Sequence, residues 1–151
     1  MNKEFIPYEQ ALALKKLVKL KPMNKEFCTY SQSIALKELG FDEPCLAVYN
    51  NPEFMWARQL KGWEDHELDN VTNSIYAEGG FVTAPTYSQA FIWFREKYGY
   101  WSYIKEAKKE TCRFYIEKFD EKFYNSEIYN SYEEAELACL KKLIEICREL
   151  K

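Results

Sequence analysis

Apolar side chains recur every three or four residues in two parts of the chain, which is the pattern of a helix with one buried face. The first part lies in the middle of the chain and is followed by Gly99, a residue type that often ends helices. Its apolar positions are Tyr87, Ala90, Phe91, Phe94 and Tyr98. The second part follows Ser131, and its apolar stripe consists of Tyr132, Ala135, Cys139, Leu140, Leu143, Ile146, Cys147 and Leu150. Both stretches predict a helix that faces the core.

A short sequence cassette opens four apolar-periodic stretches, in the forms PYEQA, TYSQS, TYSQA and SYEEA, beginning at Pro7, Thr29, Thr86 and Ser131. In the last three forms, Gln or Glu stands three positions after a hydroxyl residue. The two side chains can then pair with backbone N–H groups that a helix N-terminus leaves open. Each cassette therefore predicts a helix start, and Gly40 is expected to end the second of these helices.

The beginning of the sequence is duplicated. Residues 1–17, MNKEFIPYEQALALKKL, and residues 23–39, MNKEFCTYSQSIALKEL, agree at most positions after a shift of 22 residues. Two copies are fewer than the roughly three units that a stable solenoid needs, which favours a doubled N-terminal helix instead. We expect a single domain over 1–151, with 1–22 as the duplicated helix segment and 23–151 as the main body. The duplication is either without function or an added helix that forms a homo-oligomer.

Between the helices the period changes to two, which is typical of strands. Residues 44–49 and 53–60 predict a hairpin around the turn signal NNP, and residues 100–106 and 111–119 predict a second hairpin closed at Lys108 and Lys109. A weaker strand pair is expected within 74–83, around Gly79 and Gly80. Helices alternating with hairpins in this order predict an α+β domain, in which an antiparallel sheet built from hairpins carries the helices.

A strand register can be proposed for the first hairpin from its turn. If Tyr49 opposes Phe54, then Ala47 opposes Trp56 and Cys45 opposes Arg58, because antiparallel partners move in opposite directions along the chain. One face then carries Tyr49, Phe54, Trp56 and Arg58, and the other carries Leu46, Val48, Met55 and Ala57. The aliphatic face suits a core, which leaves the aromatic face with its guanidinium for a ligand.

The second hairpin gives a parallel result. Closing it at Lys108 and Lys109 pairs Trp101 with Ile116, Tyr103 with Phe114 and Lys105 with Cys112 on a largely apolar face. The opposite face then carries Ser102, Ile104, Arg113, Tyr115 and Glu117. Aromatic rings beside arginines can stack a planar ring and pair with phosphate or carboxylate. The candidate ligand-binding residues are Tyr49, Phe54, Trp56, Arg58, Arg113 and Tyr115. The opposing interpretation is that these rings pack beneath a helix and that either arginine pairs with Glu or lies along ring surfaces.

Charge and composition restrict the partners. The 151-residue chain has 21 Lys and Arg against 24 Asp and Glu, a net charge of -3, so an extended nucleic acid is not an expected partner. No apolar run is long enough to span a bilayer, and the N-terminus does not read as a signal peptide, so no membrane is expected. The five cysteines are odd in number and scattered, which indicates reduced, buried thiols in a cytoplasmic protein.

Catalytic motifs are not evident in the sequence. Nucleophilic triads usually use histidine as the base, and the chain has one histidine, His66, within the acidic run WEDHELD. A solvated acidic loop is favoured there over a metal site, because the pattern does not place the ligands on one rigid element. Gly79 and Gly80 form no phosphate-binding motif. We therefore expect no catalytic residues, no metal, no cofactor and no enzymatic activity.

Four segments resemble, in order, a group of small uncharacterised proteins encoded by phages and prophages of Bacteroidetes-type hosts. They are FIPYEQALALKKL, KELGFDEPCLAVYN, APTYSQAFIWFREKYGYWSYI and SYEEAELACLKKLIEICRELK. The resemblance is weak over residues 51–82, and the group usually has a single opening helix. It implies a viral accessory protein in the cytoplasm of a bacterial host, and it assigns no functional residue.

Two functions agree with these patterns. The first is a non-enzymatic protein that binds a small planar anion, with a nucleotide or a nucleotide-derived signal as the best chemical fit. In a phage setting, such binding would sequester a host defence signal. The alternative is a structural or protein-interaction module, such as a virion or packaging accessory protein, in which exposed aromatic residues anchor protein contacts.

Overall fold

The computed structural model describes residues 7–10, 23–60, 69–74, 79–119, 121 and 124–151. Within this part of the chain the longer helices are α1 (Tyr30–Glu38), α2 (Tyr87–Tyr98) and α3 (Tyr132–Glu149). The strands are β1 (Ala47–Asn50), β2 (Glu53–Trp56), β3 (Phe81–Thr83), β4 (Tyr100–Lys108), β5 (Thr111–Lys118) and β6 (Tyr124–Asn125), and Met23–Glu26 and Ala57–Gln59 form 3-10 turns. This mixture of helices and antiparallel strands confirms the α+β class. None of the described helices is both long and apolar enough to cross a membrane.

The helix starts follow the cassettes. At α1, Thr29 Oγ1 accepts from the Gln32 N–H at 3.2 Å, and Gln32 Oε1 accepts from the Thr29 N–H at 3.1 Å. Thr86 and Gln89 form the same reciprocal pair at α2. At α3, Ser131 Oγ accepts from the Glu134 N–H, whereas the Glu134 carboxylate accepts from the N–H of the residue before Ser131. Local capping chemistry therefore fixed these three helix starts as predicted.

The first cassette lies mostly outside the described residues. Tyr8, Glu9 and Gln10 are helical, in agreement with a helix start at Pro7. The rest of the duplicated segment is not described, and the doubled N-terminal helix therefore stays a prediction.

Helix α2 ends at Gly99, whose φ of 74° lies in the left-handed region. A Cβ built on Gly99 would meet no atom within 4 Å, so a side chain there faces backbone strain but no clash. We expect Gly99→Ala to lower the free energy of unfolding by about 1 kcal/mol, and Gly99→Asn by less, because Asn tolerates this conformation. Urea unfolding of the two variants checks this order, and an Ala variant as stable as the parent would contradict it.

Within the described residues the strands form two separate sheets of three strands each, with orders β2-β1-β3 and β4-β5-β6. The two predicted hairpins therefore do not share a sheet. Strand β3 pairs with β1, with Tyr49 opposite Val82. The other half of the weak strand pair expected within 74–83 lies mostly at 75–78, outside the described residues, so that pair stays a prediction.

The register of the first hairpin is confirmed near its turn and wrong beyond it. Tyr49 opposes Phe54 and Ala47 opposes Trp56, as predicted. Arg58 does not oppose Cys45, because the chain leaves the sheet in the 3-10 turn after Trp56, whose N–H donates to Gln59 Oε1 at 2.8 Å. Cys45 forms its bridge with Val71 instead. Leu46, expected in the core, is 56% exposed.

The predicted register of the second hairpin is wrong by one residue. The turn closes between Lys108 and Thr111, with Glu110 at a φ of 64°, and a bulge follows between Glu106 and Lys108. The Thr111 hydroxyl holds this turn, accepting from the Lys108 N–H and donating to its C=O, both at 3.1 Å. The observed partners are Trp101 with Glu117, Tyr103 with Tyr115, and Lys105 with Arg113. A shift of one residue exchanges which side chains of the two strands share a face.

The main core lies between the second sheet and the helices. Phe94 from α2, Phe114 and Ile116 from β5, and Leu140 from α3 belong to one buried cluster. The C-terminal stripe is buried along its middle as predicted, whereas Tyr132 and Leu150 at its ends are 52% and 59% exposed. The first sheet separates two smaller clusters, around Tyr49 on one face and around Val48 on the other. This division of faces agrees with the sequence prediction for β1 and β2.

The cysteines are unpaired packing residues. Cys28, Cys45, Cys139 and Cys147 are buried, and Cys112 is half-buried. Burial raises the pKa of the Cys45 and Cys139 thiols to about 12 and that of Cys147 to about 11. Thiols with such values stay protonated at neutral pH and are poor nucleophiles.

Candidate functional site

The structure divides the six predicted ligand-binding residues among three places. Tyr49 and Phe54 line a hollow beside the first sheet. Trp56 and Arg58 lie at the end of β2 and do not line that hollow. Arg113 and Tyr115 belong to β5, in the second sheet.

The hollow that contains Tyr49 and Phe54 has a volume of about 700 Å³ and is open to solvent. We call it the aromatic hollow, because five of its lining residues are Phe27, Tyr30, Tyr49, Phe54 and Tyr87. These rings meet edge to face: the Phe27 and Phe54 centroids are 5.1 Å apart, and the Tyr30 and Tyr49 centroids are 5.5 Å apart. Such contacts hold the rings in place as rigid walls.

The tyrosine hydroxyls of the aromatic hollow have partners within the protein. Tyr30 donates to Asn51 Oδ1 at 3.0 Å, Tyr49 to the Cys28 C=O at 2.7 Å, and Tyr87 to Gln32 Oε1 at 3.1 Å. Burial raises the pKa of both Tyr49 and Tyr87, which keeps the two phenols neutral. A molecule bound in the hollow would therefore contact the aromatic rings rather than form hydrogen bonds with these hydroxyls.

The remaining wall of the hollow is acidic. Glu133, Glu134 and Glu136 from the first turns of α3 line it, together with the single cation Lys25 among the described lining residues. Desolvation, with repulsion from Glu26 and Glu133, raises the pKa of Glu136 to about 7. A planar anion was expected beside Tyr49 and Phe54, but this lining opposes an anion there.

Trp56 and Arg58 form a local pair. The Trp56 ring meets Phe27 and Phe54 edge to face, each at 5.5 Å, and it therefore belongs to the small aromatic cluster of the first sheet. The Arg58 guanidinium carbon lies 5.9 Å from the Trp56 ring centroid, from an exposed position on the 3-10 turn. The opposing interpretation of the sequence, in which aromatic strand residues pack within the protein, thus describes Trp56.

Arg113 and Tyr115 lie on the face of the second sheet that points away from the core, since Phe114 and Ile116, which alternate with them along β5, are buried. We call this surface the outer face and define it by Trp101, Tyr103, Lys105, Arg113, Tyr115 and Glu117. The Tyr103 and Tyr115 rings stack at 5.0 Å with 13° between their planes. The Lys105 ammonium lies 5.2 Å from the Tyr103 ring and 5.7 Å from the Tyr115 ring.

The outer face brings two cations together. Lys105 and Arg113 are directly opposed in the ladder, where Cβ atoms are about 5 Å apart and like charges destabilise each other. Neither forms an ion pair with a carboxylate of the described residues, and Glu117 on the same face accepts from the Tyr103 hydroxyl at 2.7 Å. Arg113 Nε is buried and has no acceptor in the part of the chain that the structure describes.

Sequence reasoning missed residues at both places. On the outer face it missed Tyr103 and Lys105, because the one-residue register error put them on the opposite face from Arg113. At the hollow it missed Tyr30 and Tyr87, although a signal was present. Both stand directly after the capping threonine of their cassettes, so the repeated helix start places a tyrosine at the same position of two helices.

The acidic run around His66 lies almost entirely outside the described residues, which include only its last member, Asp69. The choice between an acidic loop and a metal site is therefore not tested. No protein-family model, curated protein or solved structure matches the chain. The likeness to phage and prophage proteins stays a prediction from the sequence, and the chemistry of both places rests on this chain's own residues.

Proposed function

We propose that the protein is a non-enzymatic binding protein that holds a small planar anion on its outer face, with a nucleotide or nucleotide-derived signal as the best chemical fit. The observation that carries the proposal is the opposed pair Lys105 and Arg113 beside stacked tyrosines. An anion between the two cations would relieve their repulsion and accept hydrogen bonds from the Lys105 ammonium and the terminal N–H groups of Arg113. Hydrogen bonds of this kind, with a charged donor and acceptor, are among the stronger ones in proteins.

The rings of the outer face supply the second half of the recognition. Trp101 is 57% exposed, and the Arg95 guanidinium carbon lies 4.8 Å from its ring centroid. Bases stack on exposed aromatic side chains, and this stacking accepts any base because each has a π-face. The outer face also carries Glu117, and the net charge of the chain is -3, so a short anion suits it better than a long polyanion.

The resemblance to phage and prophage proteins suggests what such binding would serve. A viral accessory protein in the cytoplasm of a bacterial host could remove a nucleotide-derived defence signal by holding it. Sequestration needs only affinity and abundance, since the free signal falls as the complex forms. In this proposal the ligand leaves the protein chemically unchanged.

Substitution of the two cations tests the site. We expect AMP or a cyclic dinucleotide to bind the parent protein, and Arg113→Gln and Lys105→Gln each to weaken that binding roughly tenfold to a hundredfold, because each loses a charged hydrogen bond. Isothermal titration calorimetry measures the affinities. Lys109→Gln is the matched control, since Lys109 lies in the turn of the same hairpin and carries the same charge. Citrate serves as a non-planar anion and is expected to bind more weakly.

Three results would contradict the proposal. The first is binding that Arg113→Gln leaves intact while Arg58→Gln abolishes it, which would move the site to the first sheet. The second is conversion of the nucleotide to a product, which would contradict a non-enzymatic role. The third is indifference of the parent protein to every anion tried.

A second candidate, a protein-interaction module, draws on exposed apolar side chains. Phe119 is 89% exposed next to β5, and Trp101 is 57% exposed on β4. Aromatic side chains at such positions are typical anchors of protein interfaces. Assembly that depends on protein concentration, together with indifference to anions, would favour this candidate over the first.

A further inference from the structure

The aromatic hollow is a second candidate site, and its chemistry is opposite to that of the outer face. Its volume of about 700 Å³ falls within the range of roughly 300–1,000 Å³ that small-molecule sites occupy. It lies between the N-terminal turns of α1 and α3, against the first sheet. The proposed anion site on the second sheet shares none of its lining residues with the hollow.

The carboxylates of the hollow lack counter-ions. Among the described residues, Glu133 and Glu136 form neither an ion pair nor a side-chain hydrogen bond, and Glu26 is close enough to Glu136 to repel it. Glu134 differs, since its Oε2 accepts from the Asn130 N–H at 3.2 Å. The hollow is therefore an acidic place with unsatisfied negative charge.

The aromatic rings of the hollow also favour a positively charged ligand. The faces of Phe27, Tyr30, Tyr49, Phe54 and Tyr87 carry negative electrostatic potential, which attracts cations. Because the three tyrosine hydroxyls are engaged within the protein, these rings contribute chiefly their π-surface and their apolar area. Aromatic rings beside carboxylates suit a ligand that has a positively charged group attached to an apolar or planar part.

We infer that the aromatic hollow binds a small organic cation, an ammonium or guanidinium group on a flat or apolar body, with its charge against Glu136 and Glu133 and its body against the rings. Lys25, the one described cation of the lining, is exposed and forms no ion pair with these glutamates. The concave shape suits a small molecule, and the unpaired carboxylates select its charge. The inference does not depend on the anion site, since the two places lie on different sheets.

Three matched probes test the charge preference. They are 2-phenylethylamine, 2-phenylethanol and 3-phenylpropionate, which share a phenyl ring and differ in being positive, neutral and negative. Ligand-observed NMR titration at pH 8 is expected to give the tightest binding for the amine, at least about tenfold tighter than the alcohol, as for other charge-assisted contacts. Equal binding of the amine and the alcohol, tighter binding of the carboxylate, or no binding of any probe would each overturn the inference.

Glu136→Gln tests the residue that the inference makes central. The variant is expected to lose most of the preference for the amine, because Glu133 alone remains beside its charge, with the affinity for the alcohol unchanged. Glu149→Gln is the control, because Glu149 is exposed on the same helix and does not line the hollow. A Glu136→Gln variant that keeps the preference for the amine would overturn the inference, as would an equal loss in Glu149→Gln.

A second measurement shows that the Glu136→Gln variant is folded. The pKa of Glu136 is raised in the folded protein, so its ionisation opposes folding as the pH rises from about 5 to 8. The charged or titratable groups around it are Glu26, Lys25, Cys28, Tyr87, Tyr132, Glu133, Glu134 and Cys139. Glu136→Gln removes the penalty and is expected to melt at a higher temperature than the parent at pH 8, with a smaller difference at pH 5. A variant that melts lower at pH 8 would show that Glu136 holds the fold rather than a cation.

Discussion

Phe94→Ala is expected to lower the free energy of unfolding by about 3–5 kcal/mol, the usual cost of emptying an aromatic site in a core. Phe94 is fully buried at the centre of the main cluster. Its ring lies 5.0 Å from Trp93, edge to face, and 5.9 Å from Tyr98. Since a domain of ordinary stability has about 5–15 kcal/mol in total, this loss is a large part of it. Urea unfolding followed by tryptophan fluorescence measures it.

Ile92→Ala is the matched control for Phe94→Ala. Ile92 lies on the same helix, two residues earlier, and is 42% exposed. Alanine is a good helix former and the lost contacts are few, so a change within about 1 kcal/mol is expected. Similar losses in the two variants would contradict the orientation of α2 against the core.

Gln32→Ala is expected to lower the free energy of unfolding by about 2–4 kcal/mol, because it leaves one buried and two partly buried polar groups without their partner. Gln32 is 7% exposed and joins the three helices. Its Oε1 accepts from the Thr29 N–H and from the Tyr87 hydroxyl, both at 3.1 Å, and its Nε2 donates to the Leu137 C=O at 3.1 Å. Thermal and urea unfolding measure the loss.

Gln89→Ala separates burial from helix capping. Gln89 has the same role in the capping box of α2, where its Oε1 accepts from the Thr86 N–H, but it is only half-buried. Water can replace its other hydrogen bond, to the Pro44 C=O, so a loss of about 1 kcal/mol in the free energy of unfolding is expected.

In a double-mutant cycle, Tyr87→Phe should lower the free energy of unfolding less in the Gln32→Ala background than in the parent. Equal losses for Gln32→Ala and Gln89→Ala would contradict the role given to burial.

The sequence predicted the elements that depend on neighbouring residues. The caps at Thr29, Thr86 and Ser131 involve partners within about four positions, and the left-handed Gly99 ends α2 as its residue type suggests. The register between Tyr49 and Phe54 also followed from its adjacent turn. Such features are local in the chain, so the pattern of residue types contains most of the information that sets them.

The candidate site was predicted less well, because it depends on contacts between distant residues. The second hairpin closes one residue away from the predicted register, at a turn that Thr111 bridges, and this places Tyr103 and Lys105 beside Arg113 and Tyr115. Gln59 ended β2 early and left Arg58 outside the sheet. The alternation of apolar and polar residues along a strand does not reveal a single side-chain hydrogen bond at a turn. A change of one residue at the turn nevertheless alters which side chains of the two strands share a face.

The sequence by itself determined the α+β class, the helix starts and the division of the first hairpin into an aromatic and an aliphatic face. These follow from periodicity, capping and turn chemistry, which act over a few residues. Only the tertiary structure decided that the hairpins belong to different sheets, and that glutamates of α3 face the rings of the first sheet while Lys105 faces Arg113 on the second. The reason is physical: the sign of charge in a hollow is set by residues far apart in the chain, which packing of the whole core brings together.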